Sequence, residues 1–163
     1  MIRVAQLSLQ GKRPSNQDRI IVSPQVDGRV VAAVADGLGG MQSGDKAAEI
    51  AVQSLGDSMS EMLGKLGGDF EAARSFLFDV YQHANDQIRV FAEEHSRLGA
   101  VGTTLVTLLV SGSRYLIANT GDSRCYSVNG NGVQQITQDH TVADSLLRHG
   151  VMAAKDYPTS PLR

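Results

Sequence analysis

Cysteine is nearly absent: Cys125 stands alone among 163 residues. An internal disulfide is thereby excluded, which suits a reducing cytoplasm. Cys125 itself sits in an apolar-alternating stretch and reads as a small buried hydrophobe. An excess of positive charge is also missing. The formal net charge is −2, so no basic field exists for nucleic acid or anionic lipid, and neither is expected as a partner. No apolar run approaches the ~18 residues of a membrane-spanning helix. The N-terminus from Met1 to Leu7 alternates instead of forming the apolar core of a signal peptide. Internal repeats and low-complexity stretches are absent. What remains is an ordinary globular composition, 42% hydrophobic and 20% charged, which predicts one domain over residues 1–163 with one main core.

Against that background, one pentapeptide stands out. The apolar run Val30 to Ala35 is followed directly by Asp36-Gly37-Leu38-Gly39-Gly40, three glycines within four residues. The run is short and β-branched, as in a buried strand. Glycine allows the backbone to turn sharply and to approach a ligand closely. A strand ending this way would hold Asp36 rigidly beside free backbone carbonyls, a platform for a hard divalent cation that needs several oxygens. An ordinary glycine turn with a capping Asp is the alternative.

Along the chain the period changes twice. Ile2 to Leu9 alternates and predicts a half-buried strand, and Arg19 to Val22 predicts another, with a turn at Pro24 to Gly28. These links are too short for a crossover helix, so an antiparallel meander is expected. Ser43 to Leu66 has helical spacing, closed by Gly67-Gly68. Asp69 to His95 predicts a second long helix with Asp69 as its N-cap. Strand signals return at Thr103 to Val110, Tyr115 to Asn119, Cys125 to Val128 and Val133 to Ile136, the last two joined by the hairpin signal Asn129-Gly130-Asn131-Gly132. Thr141 to His149 reads as a short helix with Thr141 and Asp144 at capping-box spacing. Segregated strands and helices give an α+β fold. Asp156 to Arg163 closes no element and reads as a chain cut in mid-fold.

Three loops at strand ends carry the candidate chemistry: Arg13 to Asp18, Asp36 to Gly40, and Asn119 to Arg124. Carboxylates with no His or Cys nearby favour magnesium or manganese over zinc. Cys125, His140 and His149 match no zinc spacing. An arginine beside the carboxylates points to capture of a phosphate. Together these features fit metal-assisted hydrolysis of a phosphate ester, in which one or two cations generate hydroxide and clamp phosphoryl oxygens.

At this point a resemblance emerges. Arg-x-x-Asn-Gln-Asp (Arg13 to Asp18), Asp-Gly-Leu-Gly-Gly (Asp36 to Gly40), Gly-Thr-Thr (Gly102 to Thr104), Ala-Asn-Thr-Gly-Asp-Ser-Arg (Ala118 to Arg124) and Thr-Gln-Asp-His (Thr137 to His140) resemble, in order, the motifs of the metal-dependent Ser/Thr protein phosphatases, type 2C or PPM. The resemblance implies an αββα sandwich, two antiparallel sheets flanked by helix pairs, of which this chain would supply the N-terminal two-thirds. It implies hydrolysis of phosphoserine and phosphothreonine on proteins by metal-activated water, with two or three Mn2+ or Mg2+ ions in the complete domain. Asp36 would bridge two metals, the Gly37 carbonyl would bind one of them, and Asp18 would orient the water. Arg13 would hold the substrate phosphate, and Asp122 would serve a looser third metal.

Three departures from the family pattern matter. Gln17 replaces a frequent Glu, and Leu38 replaces the His of animal members, which points to a bacterial type. The family's two later aspartates, in its Asp-Gly-x-x-Asp and Asp-Asn motifs, have no counterpart before Arg163. Weak metal binding and open sheet edges that invite dimers are therefore expected of this chain. The enzyme reading attaches to a full-length parent. The alternative is a non-catalytic phosphatase-like module that binds phosphoprotein or a regulatory partner.

Overall fold

Val30 to Ala35 lies at the centre of a sheet. The computed structural model describes residues 2–39, 43–95 and 101–162. Among these, β1 (Asp18–Val22), β2 (Arg29–Leu38), β3 (Gly102–Thr103), β4 (Leu105–Ser111) and β5 (Arg114–Thr120) form a five-stranded sheet in the order β1-β2-β4-β5, with β3 paired to the end of β2. Every pairing in this sheet is antiparallel. β6 (Tyr126–Asn129) and β7 (Gly132–Gln135) form a separate hairpin closed by Gly130-Asn131, as the Asn-Gly pairs predict.

Alternation along β2 sorts its two faces. Val31, Ala33 and Ala35 join the core beneath the helices, whereas Val34 and Leu38 are exposed. Asp36 shares the Val34 face and so points away from the helices. The helices are α1 (Ser43–Asp57), α2 (Met59–Leu66) and α3 (Phe70–Glu94), and their Leu55, Leu66 and Leu77 fill the core against the sheet. Asp69 caps α3 by accepting the Glu71 N–H. α4 (Val142–Arg148) is capped by Thr141, which accepts the Asp144 N–H. Antiparallel sheets with these four helices make the fold α+β.

Two sequence expectations fail and a third is refined. Ile2 to Leu9 forms no strand; Val4, Leu7 and Leu9 are exposed. Alternation supplies the face of a strand but not the neighbour its backbone must bond. The helix expected from Ser43 to Leu66 divides at Ser58. There the Ser54 and Ser58 hydroxyls donate to the carbonyls of Ile50 and Ser54, and such back-bonding next to Gly56 loosens the helical ladder. The terminal segment is not featureless. Tyr157–Thr159 forms a 3-10 turn, and the Leu162 carbonyl accepts the Ala143 N–H of α4. Among the described residues, no helix is long and apolar enough to cross a membrane.

Candidate active site

The antiparallel register assembles the site. β1 pairs with β2 so that Asp18 lies directly opposite Asp36, with both side chains on the face away from the helices. The same ladder places Thr104 opposite Asp36 on the other side, between the pairs Val34–Val106 and Gly37–Thr103. Gly121 follows the end of β5 beside Thr104. Asp18, Asp36, Thr104 and Gly121 thus form one row across the sheet, with Thr104 between β3 and β4 and Gly121 just past β5. The Asp18 N–H donates to Asn16 Oδ1 at 3.0 Å, and the Gly37 N–H donates to the Gln17 carbonyl at 3.2 Å. The Asn-Gln-Asp segment is thereby fixed to the end of β2.

Arg13, Asn16, Gln17, Asp18 and Asp36 line a cleft of about 340 Å³. Arg13 is exposed and forms no ion pair among the described residues, which leaves its guanidinium available to a dianion. Asp36 titrates above its ordinary value of 3.8. Burial is the largest cause. The negative charge of Asp18 and a carboxyl–carboxyl hydrogen bond with it come next, Asp122 adds to the rise, and Arg13 opposes it. Of the five predicted site residues, Asp18, Asp36 and Arg13 are therefore gathered in one cleft, Gly37 adjoins Asp36, and the exposed Asp122 acts on Asp36 only through its charge.

The raised value has a testable consequence. Without a cation, the folded chain binds the Asp36 proton more tightly than the unfolded chain does. Stability therefore falls as pH rises through the folded value, and the penalty vanishes below the unfolded one. Asp36→Asn is expected to raise Tm at pH 7 in chelator-containing buffer. The gain should shrink toward zero when thermal unfolding is repeated below about pH 3.8.

The glycines act differently from the sequence expectation. Gly37 stays within β2, and the left-handed backbone falls at Gly39, with φ 139°. A Cβ on Gly37 would lie 2.0 Å from the Gly44 carbonyl oxygen, so this glycine admits the first turn of α1 against the strand. Gly40 lies outside the described residues.

Two motifs without an expected role form a buttress. Arg124 Nε and Nη2 donate to the Asp139 carboxylate at 2.9 and 2.6 Å, and Gln135 Nε2 donates to it at 3.1 Å. The His140 N–H donates to the Gly121 carbonyl, and Asn119 Nδ2 donates to the carbonyls of Gly121 and Gln138. The Thr137-to-His140 segment thus holds the Asp122 loop, and Arg124 is committed to Asp139 instead of a phosphate. The only signal in the sequence was the opposite charge of the two residues. Arg124→Ala is expected to cost about 1–3 kcal/mol in urea unfolding, because it strips the nearly buried Asp139 of its charged partner. Cys125 is half-buried, and burial raises its thiol, so it is a poor nucleophile.

The Asp18–Asp36 pair fits a hard divalent cation in kind. It offers oxygen donors only, and its mutual repulsion would be relieved by positive charge. It is small in number, since no group of three or more His, Cys, Asp or Glu side chains gathers among the described residues.

The family model for protein phosphatase 2C matches residues 8–145. The chain is 37% identical over 149 residues to the serine/threonine phosphatase stp of Listeria welshimeri, a match covering 91% of this chain and 58% of that protein. The crystal structure of the Mycobacterium tuberculosis serine/threonine phosphatase PstP/Ppp superposes with a TM-score of 0.73 at 28% identity, covering 96% of this chain and 61% of that one. A structure of the PstP catalytic domain in complex with 2 manganese ions gives a TM-score of 0.67 at 28% identity, covering 88% and 58%. The chain thus spans about three-fifths of the length of these relatives.

Proposed function

The chain belongs to the protein phosphatase 2C family, and from that premise we propose that the protein carrying it hydrolyses phosphoserine and phosphothreonine esters on proteins with the help of Mn2+ or Mg2+. The observation that carries this reading is the opposed Asp18–Asp36 pair in a cleft that the exposed Arg13 also lines. Asp36 and Asp18 would hold the cation with the Gly37 carbonyl, and Asp122 would serve a further, looser ion. When bound, the cation supplies Lewis acidity to the phosphoryl oxygens and to the attacking water. Asp18 would orient that water by accepting its hydrogen bond. Arg13 would bind the substrate phosphate through paired N–H donors, and the rigid strand ends would hold it in line.

A second reading, a phosphoprotein-binding module without turnover, is favoured by one observation: the described residues gather fewer than three metal-binding side chains at one point. The acidic net charge and the lone half-buried cysteine support a cytoplasmic protein without a nucleic-acid or membrane partner. Among the described residues, β1 and β5 are the outer strands of the sheet, and their edges support dimers.

The test is Arg13→Ala in a phosphothreonine-peptide assay with manganese. Loss of hydrogen bonds to a dianion at about 1.5–3 kcal/mol corresponds to a rise in KM of about tenfold to a hundredfold. An unchanged KM would remove Arg13 from phosphate binding. Saturable binding of the peptide without turnover would select the second reading.

A further inference from the structure

The Gly102-Thr103-Thr104 motif has no part in the chemistry above, yet it lies between the two loops that bear Asp36 and Asp122. We propose that Thr104 is a positioning residue whose hydroxyl fixes the Asp122 loop relative to Asp36, so that Asp122 can hold its further cation beside the one at Asp36. This rests on the metal-site reading of Asp36.

The sheet ladder is altered at this point. The Asp36 N–H donates to Thr104 Oγ1 at 2.9 Å, while the Thr104 N–H donates to the Asp36 carbonyl at 2.9 Å. A side-chain hydroxyl therefore occupies the place of a backbone acceptor. The displaced Thr104 carbonyl accepts from Thr103 Oγ1 at 2.9 Å, and that hydroxyl also lies 3.0 Å from the Asp36 carbonyl. Thr104 Oγ1 is in addition 2.7 Å from Ser123 Oγ, the residue after Asp122, and either hydroxyl can donate. One oxygen thus ties the Asp36 backbone to the Asp122 loop.

The methyl group of Thr104 has a separate task. A Cβ on Gly121 would lie 2.6 Å from Thr104 Cγ2, and Gly121 is in the left-handed region at φ 92°. The loop can close over Thr104 only because Gly121 carries no side chain. Hydroxyl and methyl therefore fix the same loop from two sides. Valine would keep the methyl and lose the link, whereas serine would keep the link.

Magnesium titration of this chain, followed on backbone amide chemical shifts, tests the proposal. In the wild type, Mg2+ should shift Asp36, Gly37, Gly121 and Asp122. In Thr104→Val and in Ser123→Ala, Asp36 and Gly37 should still shift on Mg2+ while Gly121 and Asp122 no longer respond at the same concentrations. The affinity read at Asp122 should fall about tenfold or more, the usual loss when a group supporting metal ligands is removed. Thr104→Ser should restore the response. If the valine variant does not fold, Ser123→Ala decides alone, since Ser123 lies outside the strands. Wild-type shifts and affinity at Gly121 and Asp122 in the hydroxyl-deleted variants would overturn the proposal and leave the metal site standing. A wild-type chain in which Mg2+ shifts neither loop would overturn the metal reading, and this inference with it.

Discussion

Asp36→Asn in the protein carrying this chain should reduce turnover of a phosphothreonine peptide by a factor of about a hundred to a thousand at saturating manganese. Asparagine keeps the shape of the side chain and the backbone of β2, so the β1–β2 register and the cleft remain. What it removes is one of two opposed negative charges and the only carboxylate in the row that borders both Asp18 and Thr104. Cation-mediated stabilisation of a phosphoryl transition state is worth several kcal/mol, and each 1.36 kcal/mol is a factor of ten in rate. The same substitution relieves like-charge repulsion in the metal-free chain, so activity and metal-free stability should move in opposite directions. A destabilised variant would lose both together. Turnover retained at equal metal loading would take Asp36 out of the mechanism.

Gly37→Ala should destabilise the fold by about 3 kcal/mol or more, at the upper end of overpacking effects. The added Cβ would meet the Gly44 carbonyl oxygen at 2.0 Å and its carbon at 2.3 Å. Both atoms belong to the backbone of the first turn of α1, so no flexible side chain can yield. Gly44 is equally constrained, since its own Cβ would lie 2.8 Å from the Gly37 carbonyl carbon. Relief requires α1 to move off β2, which opens the core around Ala35, Ala48 and Ala51. Urea unfolding with an unchanged m-value checks the size of the effect. A loss below about 1 kcal/mol would show that the strand and helix tolerate a wider crossing.

What the sequence made legible follows the range of the forces involved. β2, α3 with its Asp69 cap, α4 with its Thr141 cap and the β6–β7 hairpin rest on period, caps and turn residues close together in the chain, and each was recoverable from local pattern. Motifs at or just before strand ends are what bring Asp18, Asp36 and Arg13 into one cleft. Ile2 to Leu9 alternates without forming a strand, because strand formation depends on a distant neighbour that alternation does not encode. The break at Ser58 leaves no local signal, because apolar spacing continues across it while the serine hydroxyls compete for the backbone. Local pattern puts Gly37 in a turn, although its small size serves a contact with Gly44. Thr104 and the Arg124–Asp139 pair act across 68 and 15 residues of chain, and no local rule links such partners.

The most direct test of the account is phosphothreonine-peptide turnover by the protein carrying this chain, followed as manganese is added, removed by a chelator and added again. The account predicts saturable turnover that disappears on chelation and returns with manganese. Turnover that survives complete chelation, or peptide binding with no turnover at saturating manganese, would contradict it.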